Sequence, residues 1–168
     1  NKKRLYYTQD KGGNENIQLY AADIDGGNLK DLTPFEGITL GTIKPVKDTD
    51  FVVVTMNKNN KQIFEPYKIN YVTGEITQLY ENKDTKSPID DYIFDKDGNL
   101  RGYTVLENGL TTKTYYKDLQ TGKFNLLKSA DWSDTFGIIG FNDNSKKKDE
   151  AYVVTNLDGD KARIVLYD

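Results

Sequence analysis

Cysteine and histidine are both absent from this chain of 168 residues. Without cysteine there can be no disulfides, no thiolate zinc site and no thiol nucleophile. Without histidine the usual serine-histidine-acid relay, a histidine metal centre and a histidine general base are excluded together. Serine is scarce as well: Ser87, Ser129, Ser133 and Ser145 are the only four, and none lies in a G-x-S-x-G nucleophile elbow. No stretch approaches the roughly 18 apolar residues of a membrane helix, so no membrane span is expected. The opening Asn1-Lys2-Lys3-Arg4 leads into Leu5-Tyr6-Tyr7 and then polar residues, too short for a signal-peptide core. A first residue other than Met is read as the mark of an upstream segment that was removed. Lack of disulfides leaves the compartment open, and a periplasmic or secreted location is favoured over a cytoplasmic one.

Charge of either sign is also without a dominant block. Lys and Arg number 23 against 26 Asp and Glu, a formal charge of -3, which gives no reason to expect nucleic acid as a partner. The one basic run, Lys146-Lys147-Lys148, is offset by Asp143, Asp149 and Glu150 and reads as a solvated loop. What the chain has in quantity is tyrosine, 12 residues, with 7 Phe. These large side chains favour sheet and supply core volume to a chain only 36% hydrophobic.

Internal repetition organises the rest. Tyr20-x-x-Asp23-Ile24, Tyr67-x-x-Asn70-Tyr71 and Tyr115-x-x-Asp118-Leu119 lead three similar segments whose first tyrosines are 47 and then 48 positions apart. Upstream of each lies a second element, Leu5-Tyr6-Tyr7-Thr8, Phe51-Val52-Val53-Val54-Thr55 and Leu100-Arg101-Gly102-Tyr103-Thr104, with a fourth copy at Ala151-Tyr152-Val153-Val154-Thr155. This alignment predicts that Tyr7, Val54, Tyr103 and Val154 hold equivalent strand positions, and that a fourth Tyr-Asp pairing begins at Tyr167-Asp168.

Each segment reads as a four-stranded antiparallel meander. In the third, residues 91–94, 100–106, 112–119 and 124–127 are strands, separated by Asp95-Lys96-Asp97-Gly98-Asn99, Glu107-Asn108-Gly109 and Gln120-Thr121-Gly122-Lys123, all rich in turn formers. A period near 48 with four strands per unit is the spacing of a propeller blade. An ordinary sandwich of meanders would also contain short strands at regular intervals; three aligned units favour blades. The expected fold is therefore all-β, a partial β-propeller of about three and a half four-stranded blades, with repeats near 1–33, 39–80, 90–128 and 136–168 in one fragment. The first blade lacks an inner strand and the last lacks an outer one. The exposed edges, residues 5–8 and 162–167, are expected to invite homo-oligomers.

The pattern Asp95-x-Asp97-Gly98-Asn99-Leu100, strand, Tyr115-x-x-Asp118-Leu119-x-Thr121-Gly122-x-Phe124-x-x-Leu127 resembles the WD40-like repeat of the amino-terminal propellers of the prolyl oligopeptidase family, dipeptidyl and acylaminoacyl peptidases included. TolB-like propellers share it. The second segment departs from the pattern, with Lys47-Asp48-Thr49-Asp50 at the turn, and Pro precedes Asp-Gly nowhere in the chain. The resemblance implies a non-catalytic propeller domain that gates or docks peptide substrate for a separate α/β-hydrolase domain, which would carry the catalytic serine, aspartate and histidine. A TolB-like protein-protein interaction propeller without enzymatic activity is the alternative.

No catalytic, cofactor-binding or metal residue is assigned. Asp90-Asp91 and Asp95 with Asp97 bring carboxylates close in sequence, as a paired-carboxylate hydrolase needs, but these residues flank turns, where Asp bonds its own backbone. The stretches at Asp23-x-Asp25-Gly26, Asp95-x-Asp97-Gly98 and Asp158-Gly159-Asp160 lack the twelve-residue schedule of an EF-hand and also read as turns. Trp132, between an outer strand and the next inner one, is expected to fill a seam between blades.

Overall fold

The structure, a computed structural model, describes residues 3–84, 87–147 and 149–168. Lys2 of the basic opening and Lys148 of the lysine run lie outside the described residues. Fourteen strands and no helix are seen among the described residues, in two compact units, Asn1–Lys83 and Asp84–Asp168.

In the first unit, β1 (Arg4–Gln9), β2 (Gln18–Asp23) and the two-residue β3 (Lys30–Asp31) form one antiparallel sheet; β4 (Leu40–Pro45), β5 (Phe51–Asn60), β6 (Ile63–Asn70) and β7 (Ile76–Gln78) form the next. The second unit also has two antiparallel sheets, the four-stranded one first. Its sheets are β8 (Ile89–Phe94), β9 (Leu100–Glu107), β10 (Thr111–Lys117) and β11 (Phe124–Ala130), then β12 (Phe136–Phe141), β13 (Ala151–Thr155) and β14 (Arg163–Tyr167). Every sheet is a meander in which sequence neighbours pair. Among the described residues the first sheet has no inner strand and the fourth no outer strand, as the aligned segments imply. The fold is all-β, with four separate sheets in propeller-like succession.

Alternation of apolar residues on the pleat builds the cores. In the first unit Leu19 and Ala21 of β2 meet Val52, Val54 and Met56 of β5 and Tyr67 and Ile69 of β6 in one buried cluster. Phe136, Ala151 and Val153 of the fourth sheet meet Ala130 of β11, with Ile138 and Val165 packed beside them. The other face of the fourth sheet leaves Ile139, Tyr152, Ile164 and Leu166 exposed.

The turns that follow β6 and β10 have a common cause. Asn70 Oδ1 accepts the amides of Val72 and Thr73, both at 2.9 Å, and Asp118 Oδ1 accepts those of Gln120 and Thr121 at 2.8 and 3.0 Å. Four residues on, Gly74 and Gly122 take φ of 79° and 72°, the left-handed region that admits glycine without strain. The Asp and Thr-Gly of the repeat are thus turn chemistry. Backbone donors hold the Asp118 carboxyl below the usual carboxylate range.

Registers bear out three of the four aligned positions and correct the fourth. Tyr7 faces Tyr20, Val54 faces Tyr67 and Tyr103 faces Tyr115. In the fourth sheet the residue equivalent to Val54 is Val153, one position before Val154. Asn57 receives the Thr39 amide on its side chain at 2.7 Å and gives its own amide to the Thr39 carbonyl; Asn156 does both with Thr135, at 2.6 Å for the first. Asn57 stands three residues after Val54, and Asn156 three after Val153. Val153 is fully buried and faces Val165, so Val165 takes the tyrosine place and Asp168 the Asp place. Tyr167 faces Ala151 and begins no fourth pairing. Matching Thr155 to Thr55 slipped the copy by one residue, which on a pleat exchanges the two faces.

Candidate functional site

The Asp23, Asp95 and Asp158 stretches are built as turns, whereas Asp90 and Asp91 do not flank a turn but lie within β8, where the register shifts between Ile89 and Asp91. Asp95 Oδ1 accepts the amides of Asp97 and Asn99 at 3.0 and 2.8 Å, while its Oδ2 accepts the Asn99 side chain at 3.1 Å. Asp91 Oδ1 accepts the Tyr92 amide at 2.8 Å. Asp25 accepts the Gly27 amide at 3.0 Å, and Asp23, buried, accepts the Asn28 side chain at 2.7 Å with Arg4 at 3.4 Å. Asp158 pairs with Arg163 at 3.5 Å. Among the described residues no group of three or more acidic side chains is gathered as a metal cluster. Trp132 does not fill a seam: it is 80% exposed, on the turn between β11 and β12.

Arg101 is a buried cation in β9, at the position that the aligned segments match to Val52. Along β8 and β9, Ile93 faces Gly102 and Phe94 faces Leu100, so Arg101 is the extra residue of a bulge. A bulge turns its side chain out of the regular alternation. Gly102 beside it is required by close approach, since a Cβ there would lie 2.5 Å from the Tyr115 carbonyl oxygen.

The redirected guanidinium is only 8% exposed and is fixed on several sides. It sits over the Phe141 ring, 4.9 Å from the centroid, and near the Tyr116 ring at 5.4 Å. Nη2 donates to Tyr116 Oη at 2.6 Å and to Asp149 Oδ1, while Nη1 lies 3.5 Å from Asp95 Oδ2. Burial pushes the Tyr116 phenol well above its usual range; Arg101 opposes that rise and the Asp149 carboxylate adds to it. Arg101 thus joins the third sheet to the loop that leads into β13 of the fourth.

Two cavities flank this pair. One, of about 540 Å³, is lined by Asp95, Arg101, Lys117, Phe141 and Lys147 among others. A second, of about 510 Å³, is lined by Tyr116, Lys117, Leu127, Ile138 and Asp149 among others. Lys117 and Leu119 line both, and the Arg101 and Asp149 side chains face one each. The arrangement offers apolar walls with charges of both signs. It has binding character: a buried, oriented cation beside space sufficient for a few residues of extended chain.

No family model matches the chain. It is 36% identical over 99 residues to dipeptidyl aminopeptidase BIII of Pseudoxanthomonas mexicana, a match that takes in 58% of this chain and 14% of that protein. Among solved structures, a prolyl endopeptidase aligns with 98% of this chain at 16% identity and a TM-score of 0.53, using 33% of its own chain. The tricorn protease aligns with 98% at 17% identity and a TM-score of 0.53, using 15% of its own chain. The chain therefore spans a minor part of each of these three proteins. It is a remote relative in sequence of a dipeptidyl aminopeptidase, and similar in fold to parts of two further peptidases.

Proposed function

We propose that this chain is a segment of the non-catalytic propeller of a serine peptidase of the prolyl oligopeptidase type, which gates or docks peptide substrate for a separate α/β-hydrolase domain of the same parent chain. The observation that carries the proposal is the 36% identity to a dipeptidyl aminopeptidase within a stretch covering only 14% of that enzyme. The chemistry agrees: a chain with no His and no nucleophile elbow supplies no serine relay, while four meander sheets supply a scaffold whose turns and clefts can hold a peptide. The repeat boundaries near 1–33, 39–80, 90–128 and 136–168, and closure into a ring with further blades, belong to the same proposal, as does a periplasmic or secreted location.

Expression of the full-length parent beside the 168-residue chain tests it. The parent should hydrolyse short peptides, with activity abolished by a serine-directed inhibitor, and the chain alone should show none after repurification. A parent with no hydrolase domain would overturn the proposal in favour of a TolB-like interaction propeller. Turnover by the chain alone, lost on Asp97→Asn, would overturn it in favour of carboxylate chemistry. Fractionation of cells producing the full-length parent tests the location.

A further inference from the structure

Arg101 and Asp149 are unequal partners. The guanidinium is 8% exposed and held from the other sides by Tyr116, Asp95 and the Phe141 ring, whereas the Asp149 side chain is 53% exposed and stands on a loop. Asp95, only 14% exposed and engaged by three hydrogen bonds within its own turn, is the fixed counter-charge. Arg101 consequently stays neutralised and oriented when Asp149 is exchanged for another carboxylate. Exchange at the exposed side costs little, because a half-solvated ion pair has small net strength, while the guanidinium, held in one orientation with Nη1 turned to Asp95, presents Nη2 to an incoming carboxylate as it does to Asp149.

From this we infer that Arg101 is a carboxylate-receiving site, occupied in the structure by Asp149 as an internal stand-in, and that its ligand is the terminal or side-chain carboxylate of a short peptide lying along the two adjoining cavities. The inference rests on the docking function proposed above and names a subsite within it. Lys117, which lines both cavities, adds positive potential along the same path, and the Leu127 and Ile138 walls take apolar side chains of the ligand. The bulge serves the subsite directly. Regular pairing would leave this residue on the pleat among strand neighbours, and the inserted position turns it toward the clefts.

The test uses the 168-residue chain with Asp149→Ala, and three probes: acetate, acetyl-trialanine with a free carboxylate, and the same tripeptide as its amide. The Arg101 side-chain N–H resonance is followed by NMR and peptide affinity by calorimetry. Asp149→Ala should bind the carboxylate peptide about tenfold more tightly than the unmodified chain, the loss of an internal competitor worth about 1.4 kcal/mol. Acetate should shift the Arg101 resonance in the variant at lower concentration than in the unmodified chain. The amide should gain nothing. Arg101→Lys in the same background should abolish the preference for the carboxylate; if that variant fails to fold, as circular dichroism would show, the comparison of carboxylate with amide decides alone. Equal affinity for both peptides with no acetate response overturns the subsite while leaving peptide docking intact. An acetate response without binding of either peptide overturns the peptide ligand and with it docking at this cleft.

Discussion

Replacing Val153 and Val154 by alanine, one at a time, discriminates between the two possible alignments of the fourth repeat. Val153 is fully buried among Ala130, Phe136 and Ala151, and Val154 is half-buried on the opposite face. Val153→Ala removes two buried carbons, about 1.6 kcal/mol of transfer free energy at about 0.8 per methylene. Incomplete relaxation of Ile138 and Val165 around the gap adds a cavity term, for a total of about 2 to 3 kcal/mol. Val154→Ala removes the same atoms from a surface that water already reaches, and should cost under about 1 kcal/mol. Urea titration followed by circular dichroism measures both, with comparison restricted to variants that keep the parent slope, so that midpoint differences report stability. A cost for Val154→Ala equal to or above that for Val153→Ala would refute the register and restore Val154 to the place of Val54.

Three other outcomes are expected. Glu65 is buried and accepts Asn59 Nδ2 at 2.6 Å, Tyr67 Oη at 3.2 Å and the Asn82 amide at 2.9 Å; Glu65→Ala should therefore destabilise by about 3 kcal/mol by stranding donors, and Glu65→Gln, which keeps one acceptor oxygen, by less, both read from urea midpoints. Burial raises the Tyr67 and Tyr116 phenols above the ordinary value of 10.0; because the folded state then holds protons that the unfolded state releases, stability should be complete below pH 10 and fall as pH rises above it, and Tyr67→Phe with Tyr116→Phe should flatten that alkaline loss in urea titrations at stepped pH. Among the described residues β1 and β14 are paired on one side only, and β14 shows Ile164 and Leu166 to solvent, so light scattering over a concentration series should detect self-association that Leu166→Lys reduces; a monomer at every concentration would show that these edges are protected.

The strand order was legible because it rests on local chemistry. Asn70 and Asp118 with their Thr-Gly partners close turns using atoms within a few residues, and such turns leave a fixed signature at a fixed spacing. The cross-strand pairs Tyr7 with Tyr20 and Tyr103 with Tyr115 stack their rings at 5.6 and 5.0 Å, so both members of each pair carry bulk that a repeat search can align. The fourth copy carries Val153 and Val165 instead. With no aromatic anchor, the only guide was Thr155, and a threonine occurs too readily at strand ends to fix a register to one residue. The Asn57 and Asn156 bridges do fix it, although a lone Asn after a strand has no distinctive spacing until its partner threonine across the sheet is known.

Trp132 and Arg101 were misjudged or missed for a related reason. A tryptophan has enough apolar surface to suggest a seam, yet its position on the turn after β11, between Asp131 and Ser133, leaves it outside both packed faces. Arg101 follows a turn and opens a strand, where an arginine ordinarily points to solvent with its stem on the surface. Its burial depends on an extra residue in β9, on the space that Gly102 leaves beside the Tyr115 carbonyl, and on Phe141 and Asp149 contributed from about forty to fifty positions downstream. The bulge is not visible in the sequence, where Leu100 to Thr104 matches Phe51 to Thr55 residue for residue: the turn closed by Asp95 and Asn99 is one residue shorter than the turn closed by Val46 and Phe51, and this offsets the extra residue. Nor is its consequence, because the direction a bulge gives to a side chain depends on which neighbours wait there. A repeat reveals what its copies share, whereas the candidate site in this chain is made from the way one copy divides the same number of residues between turn and strand.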